Sequence, residues 1–212
     1  MIKNIIFDMS EVIISGYHGV EKLLKQQYAI PEEEWEAQRL SKNELFLDLM
    51  RGNLSEEAYL EELLQGTNWN ISIDQLKEAI RSNLNRPVPG TMKIVGELKG
   101  NYQLILLSDY VKEWMKYIEE RNQDLRIFDK KIISYNIGTT KSEVQTFRTV
   151  IEQTGIVADE TLFIDDYEKN VKNAEAVGIH GIVFKNAEQL RKILSSEYNL
   201  LQVENEYSGE DR

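Results

Sequence analysis

The sequence predicts an α/β protein, a doubly wound parallel sheet interrupted by an inserted all-helical segment, and three observations carry that expectation. From about residue 91 to residue 194, short apolar runs alternate with stretches of helical spacing, the pattern of a parallel sheet with helices on both faces. Residues 16–85 carry almost nothing but helical signals. Four polar stations follow apolar runs or sit at a helix start: Asp8 after IIF, Ser108 after LILL, Lys141 in GTTKSE and Asp165-Asp166 after LFI. Strand ends lie side by side in a parallel sheet, so such groups converge in the crevice beyond the carboxyl ends of the strands.

In chain order, Ile2 to Phe7 is an apolar-rich run suited to a buried strand. Val20, Leu23, Leu24 and Tyr28 then share one helical face, and Pro31 is expected to end that segment. Ser41 with Glu44 has capping-box spacing before Leu45, Phe46, Leu49 and Met50; Ser72 with Gln75 repeats it before Leu76, Ala79, Ile80 and Leu84. Between them Tyr59, Leu60, Leu63 and Leu64 form an amphipathic stripe. Pro87-Val88-Pro89-Gly90 marks a boundary, since proline disfavours helix at itself and its predecessor. Beyond it the spacing predicts helix 91–99, strand 103–107, helix 110–121, strand 131–134, helix 142–154, strand 161–164, helix 168–177, strand 181–184 and a helix from Ala187 to Leu194. Val111, Trp114, Met115 and Ile118 give one of these helices its buried face, and Val144, Phe147, Val150 and Ile151 give another. The polar, acidic ending ENEYSGEDR is expected to be disordered.

With 212 residues the chain exceeds the usual single-domain length, which favours one domain carrying a large insertion or two modest ones. A composition 42% hydrophobic and 29% charged is that of a soluble globular protein. No apolar run approaches the roughly 20 residues needed to span a bilayer, so no membrane role is expected. The amino terminus lacks a small-residue cleavage site and reads as a strand, which with the absence of cysteine points to the cytoplasm. A net charge of −11 argues against nucleic acid, whose binding depends on neutralising phosphates with Lys and Arg. A phosphorylated substrate then needs a local cation, and Lys141 is the candidate.

Each station also has an ordinary structural reading. An aspartate after a strand caps a helix or opens a turn, a lysine near a helix start is usually solvated, and an Asp-Asp pair commonly caps the helix that follows. Taken together and in this order, the four suggest a magnesium-dependent phosphoryl-transfer site. A response-regulator receiver uses the same groups, but with its acidic pair early and its lysine last. His18 and His180 are too few and too separated for a metal cluster, and Trp35, Trp69 and Trp114 read as packing residues.

The segments FDMSEVI, LLSD, TTKSEVQTFR and FIDDYEKNVKNAEAVGI resemble the four ordered motifs of the haloacid dehalogenase-like hydrolase superfamily, over residues 2 to about 184. The chain is most similar to the branch with sugar-phosphate phosphatases and the amino-terminal phosphatase domain of soluble epoxide hydrolases. That resemblance implies a Rossmann-like catalytic core from residues 1–15 and 86–201, a helical cap from 16–85 that chooses the substrate, and a tail from 202–212. It implies Asp8 as the nucleophile and Mg2+ held by Asp8, the backbone carbonyl of Ser10 and the Asp165-Asp166 pair, with Asp166 the nearer ligand. Ser108, Asp109 and Lys141 would face the phosphate, with Asn170 in support.

Two departures stand out. Many relatives carry an aspartate as general acid and base where this chain has Ser10, and a serine hydroxyl cannot replace it near neutral pH. Glu11, one residue on, is a candidate substitute. The branch commonly has Asn where this chain has Asp109, a carboxylate that repels substrate if it points inward and not if it points outward. The readings are a phosphatase for a small phosphorylated metabolite such as a sugar phosphate, a weak or silent relative that binds a ligand or partner, and a haloacid dehalogenase. Oligomeric state is left open.

Overall fold

The computed structural model describes residues 1–16, 18–84 and 86–202. It consists of β1 (Asn4–Phe7), then α1 (His18–Gln27), α2 (Glu32–Ser41), α3 (Asn43–Met50), α4 (Glu56–Leu64) and α5 (Ile73–Asn83). There follow α6 (Thr91–Leu98), β2 (Gln103–Ser108), α7 (Lys112–Arg121), β3 (Lys130–Ile133), α8 (Ser134–Ile137) and α9 (Val144–Thr154). β4 (Thr161–Asp165), α10 (Glu168–Glu175), β5 (His180–Val183) and α11 (Ala187–Ser196) complete the order.

The sheet is all parallel, in the order β3-β2-β1-β4-β5, so the chain moves outward on one side of β1 and then returns to build the other. Its two faces follow from the period-2 alternation of strand side chains. Ile5 and Phe7 of β1, with Leu104 and Leu106 of β2, enter the larger apolar cluster; Ile6, Ile105, Leu107 and Phe163 enter the other, with Phe147 and Val150 of α9. The larger cluster continues into the helical insertion through Trp35, Leu60, Leu63, Leu76 and Ile80.

The two ends of the insertion run side by side. Ile14 bridges Pro87 in antiparallel fashion, Ser15 N donates to Arg86 O at 2.7 Å and Val88 N to Ile13 O at 2.9 Å. Asn83 closes the junction, its Nδ2 donating to Gly16 O and its own carbonyl accepting from Ser15 Oγ, both at 2.9 Å.

Most element boundaries fall within a residue or two of expectation, but one local expectation fails and another is incomplete. The Ser72–Gln75 capping box forms reciprocally, while the Ser41–Glu44 box does not. Ser41 is the last residue of α2, and its hydroxyl bonds back to Gln38 O at 2.8 Å, an alternative to capping that a serine within a helix takes readily. Pro31 does not merely end a helix. It is the N-cap of α2 at φ −60, the value its ring prefers and the helix start tolerates. Among the described residues no helix is long and apolar enough to cross a membrane. The expected disorder of the tail falls on residues 203–212, outside the described residues.

Candidate active site

Strand register brings the site together. Phe7 pairs with Ile164 in β4 and with Leu106 in β2, so Asp8, Asp165 and Ser108 leave the sheet along one rim, at the switch between its two halves. Each follows a fully buried run that carries the backbone hydrogen bonds. Asp8 is 4% exposed, Ser108 1% and Asp165 0%.

Lys141 joins them from the loop between α8 and α9. Its Nζ lies 2.6 Å from Asp8 Oδ1 and 2.6 Å from Asp165 Oδ2, and the residue is 3% exposed. The ammonium is driven well above its usual range, burial opposing and the carboxylates of Asp8, Asp165 and Asp109 outweighing it. One ammonium shared among several acids does not satisfy Asp8. Burial pushes its carboxyl up to about 8; Lys141 opposes, while Asp165 and Asp166 add to the rise. Among the described residues, the hydrogen bonds to Asp8 fall on Oδ1, from Met9 N at 2.6 Å and from Lys141. Oδ2 is left without a hydrogen bond from them.

The acidic pair divides its labour. Asp165 is filled by protein donors: Lys141 Nζ, Tyr167 N at 2.8 Å, and Asn170 Nδ2 at 3.2 Å from both oxygens. Asp166 opens to solvent, its carboxyl raised by burial and by Asp165. Carboxylate oxygens of Asp8, Asp165 and Asp166 lie within 4.8 Å of one another. Three acids against one lysine, offering oxygen ligands only and one of them open to water, fit a hard divalent cation such as magnesium.

Ser108 Oγ is buried with no hydrogen-bond partner among the described residues, an arrangement that calls for a polar occupant. Ser10 lies against the insertion's first connecting segment. A Cβ built on Gly16 would come within 2.9 Å of Ser10 Cβ and 3.2 Å of Glu11 Oε1, so only glycine fits there. Glu11 takes the left-handed backbone conformation at φ 58, rare for a side-chain-bearing residue, and accepts from Gly16 N at 2.7 Å.

Asp109 turns to the loop. Both its oxygens accept from Lys141 N at 3.0 Å. Sequence reasoning missed Asn173, whose Nδ2 donates to Lys141 O at 2.9 Å; the signal was its place three residues beyond Asn170, on the same face of α10. It also missed Arg51 at the end of α3, which reaches Glu143 beside the lysine loop at 2.9 Å. The side chain of His18 lies outside the described residues, while His180 is exposed with Nε2 near Asp159 O. Trp35 stacks on Trp69 at 5.4 Å, and Trp114 donates to buried Glu56 at 2.7 Å, packing roles both.

A model of the haloacid dehalogenase-like hydrolase family matches residues 2–178. The chain is 24% identical over 203 residues to the D-ribitol-5-phosphate phosphatase of Bacteroides thetaiotaomicron, covering 92% of this chain and 98% of that one. It superposes with a TM-score of 0.73 and 25% identity on a haloacid dehalogenase family enzyme from the same organism, solved with magnesium and inorganic phosphate, over 88% of this chain and 96% of the other. A predicted hydrolase of the same type from Porphyromonas gingivalis gives a TM-score of 0.74 at 28% identity, covering 96% of this chain and all of its own.

Proposed function

The chain belongs to the haloacid dehalogenase-like hydrolase family, and from that premise we propose that it is a magnesium-dependent phosphatase for a small phosphorylated metabolite, a sugar or polyol phosphate. The observation that carries this reading is the convergence of Asp8, Asp165, Asp166 and Lys141 on one rim, with carboxylate oxygens within 4.8 Å. A relative that acts on ribitol 5-phosphate supports the substrate class, and the acidic pair weighs against attack on a carbon–halogen bond, which needs no metal.

Asp8 Oδ2, as the carboxylate, attacks phosphorus; the bond to the leaving oxygen breaks, that oxygen takes a proton from solvent to leave as the alcohol, and an aspartyl-phosphate forms. Water then attacks that phosphorus, releasing inorganic phosphate and restoring Asp8. Ser108 Oγ donates to a phosphate oxygen, and Lys141 offsets the charge that gathers there. Asp8, Asp166 and the Ser10 carbonyl would hold magnesium, which supplies charge neutralisation and orients the phosphate; Asp165, already occupied, fixes Lys141. In this reading residues 1–15 and 86–201 form the catalytic core and residues 16–85 a cap that chooses the substrate, in a reducing compartment such as the cytoplasm.

The decisive experiment is hydrolysis of p-nitrophenyl phosphate and a panel of sugar and polyol phosphates, with magnesium or with EDTA, by the wild type and Asp8→Asn. Magnesium-dependent turnover in the wild type, lost in the variant, is expected. A wild type inert across the panel overturns the assignment and leaves the ligand-binding relative.

A further inference from the structure

Lys141 is held at its main chain as well as at its side chain. Its N–H donates to both oxygens of Asp109 at the end of β2, and its carbonyl accepts from Asn173 of α10. One turn earlier on the same helix, Asn170 fixes Asp165, which in turn holds the lysine's Nζ. The two amides of α10 therefore grip opposite ends of one arrangement. Resting on the phosphatase reading, we infer that Asp109 is a positioning residue: its carboxylate anchors the peptide of Lys141 so that the ammonium stands at the phosphate crevice, and it does not itself receive the phosphate.

The chemistry favours this division. The Lys141 N–H shared by both oxygens of Asp109 ties the lysine loop to the strand that carries Ser108. Lysine has a flexible four-carbon stem, so the position of its ammonium depends on where its main chain is fixed. A displacement of about 1 Å in such a group costs on the order of 10²-fold in rate. A carboxylate facing the phosphate would oppose the reaction, whereas one turned to the Lys141 amide contributes its strength as an acceptor.

The test compares Asp109→Ala, Asp109→Asn and Asn173→Ala by magnesium-dependent kinetics on p-nitrophenyl phosphate and by amide hydrogen exchange in the peptide spanning 138–145. Asp109→Ala is expected to lose about 10- to 100-fold, mostly in kcat, with faster exchange in that peptide. Asn173→Ala should share the kcat defect, and Asp109→Asn, which keeps an acceptor for the amide, should recover most of the rate. Unchanged exchange in Asp109→Ala overturns the anchor. Asp109→Asn impaired as deeply as Asp109→Ala, with the defect in KM, overturns it in favour of substrate contact. Faster exchange in Asp109→Ala, together with a wild type that shows no turnover, leaves the anchor standing and sinks only the catalytic reading beneath it.

Discussion

In the proposed reaction, serine at position 10 would leave the departing oxygen without a carboxylic acid beside it. General acid–base help is worth about 10²- to 10⁴-fold, and most for poor leaving groups. Ser10→Asp is therefore expected to raise kcat on alkyl phosphates toward that range while changing p-nitrophenyl phosphate little, since nitrophenolate departs without a proton. Equal effects on both substrates would refute this role for position 10. Asp8 has its own signature in pH. Its carboxyl is raised from 3.8 to about 8, so between about pH 4 and pH 8 the folded state holds a proton that the unfolded chain has released, and stability falls as pH rises through that window. Melting in EDTA should show the wild type losing stability relative to Asp8→Asn from about pH 5 to pH 8, and parallel curves would contradict it. Asp8, Ser108, Asp165 and Asp166 were legible because each ends or follows an apolar strand. The direction of Asp109 was not, because it depends on a loop 32 residues later in the chain.

At the scale of elements, α4 and α5 meet α7 around a buried charge. Glu56, 3% exposed, accepts from Arg81 at 2.8 and 2.6 Å and from Trp114 Nε1. Removing one partner of such a pair strands the other in a poor solvent, at a cost of about 3–5 kcal/mol. Arg81→Met is expected to lose that much in urea unfolding, and Arg81→Met combined with Glu56→Gln to recover part of it; no recovery would mean that packing, not charge, dominates. Periodicity made these helices legible through Leu60, Leu63, Leu76 and Ile80. It missed the helix that Pro31 starts and misjudged Ser41 because that helix, Glu32–Ser41, buries only Trp35 and so carries little apolar stripe to announce itself. The capping box at Ser72 succeeded where that at Ser41 failed because Ser72 sits in extended backbone at φ −87, ψ 162, outside any helix.

For the whole molecule, the proposed cation binds only the folded arrangement, since Asp8 and Asp166 are brought together by the sheet. At about 100 times its dissociation constant, magnesium adds about 2.7 kcal/mol of stability, or roughly 5–10 °C in Tm for a chain of this size. Differential scanning calorimetry with magnesium against EDTA checks this, and Asp166→Asn should remove most of the shift. An equal shift in that variant would place the ion elsewhere. The alternation of strands and helices disclosed the sheet, whereas the apolar cluster joining Trp35 and Leu76 to Phe7 and Leu106 arises from tertiary packing that no local pattern announces.

The zipped pair of segments at Ile14 and Pro87 gives the chain a single two-stranded stalk where it leaves and rejoins the sheet. On the proposed reading of residues 16–85 as the cap, a graft made at that stalk would replace α1 to α5 in one piece and leave the strand pairings of the sheet in place, provided the incoming helices keep an acceptor for Trp114 of α7.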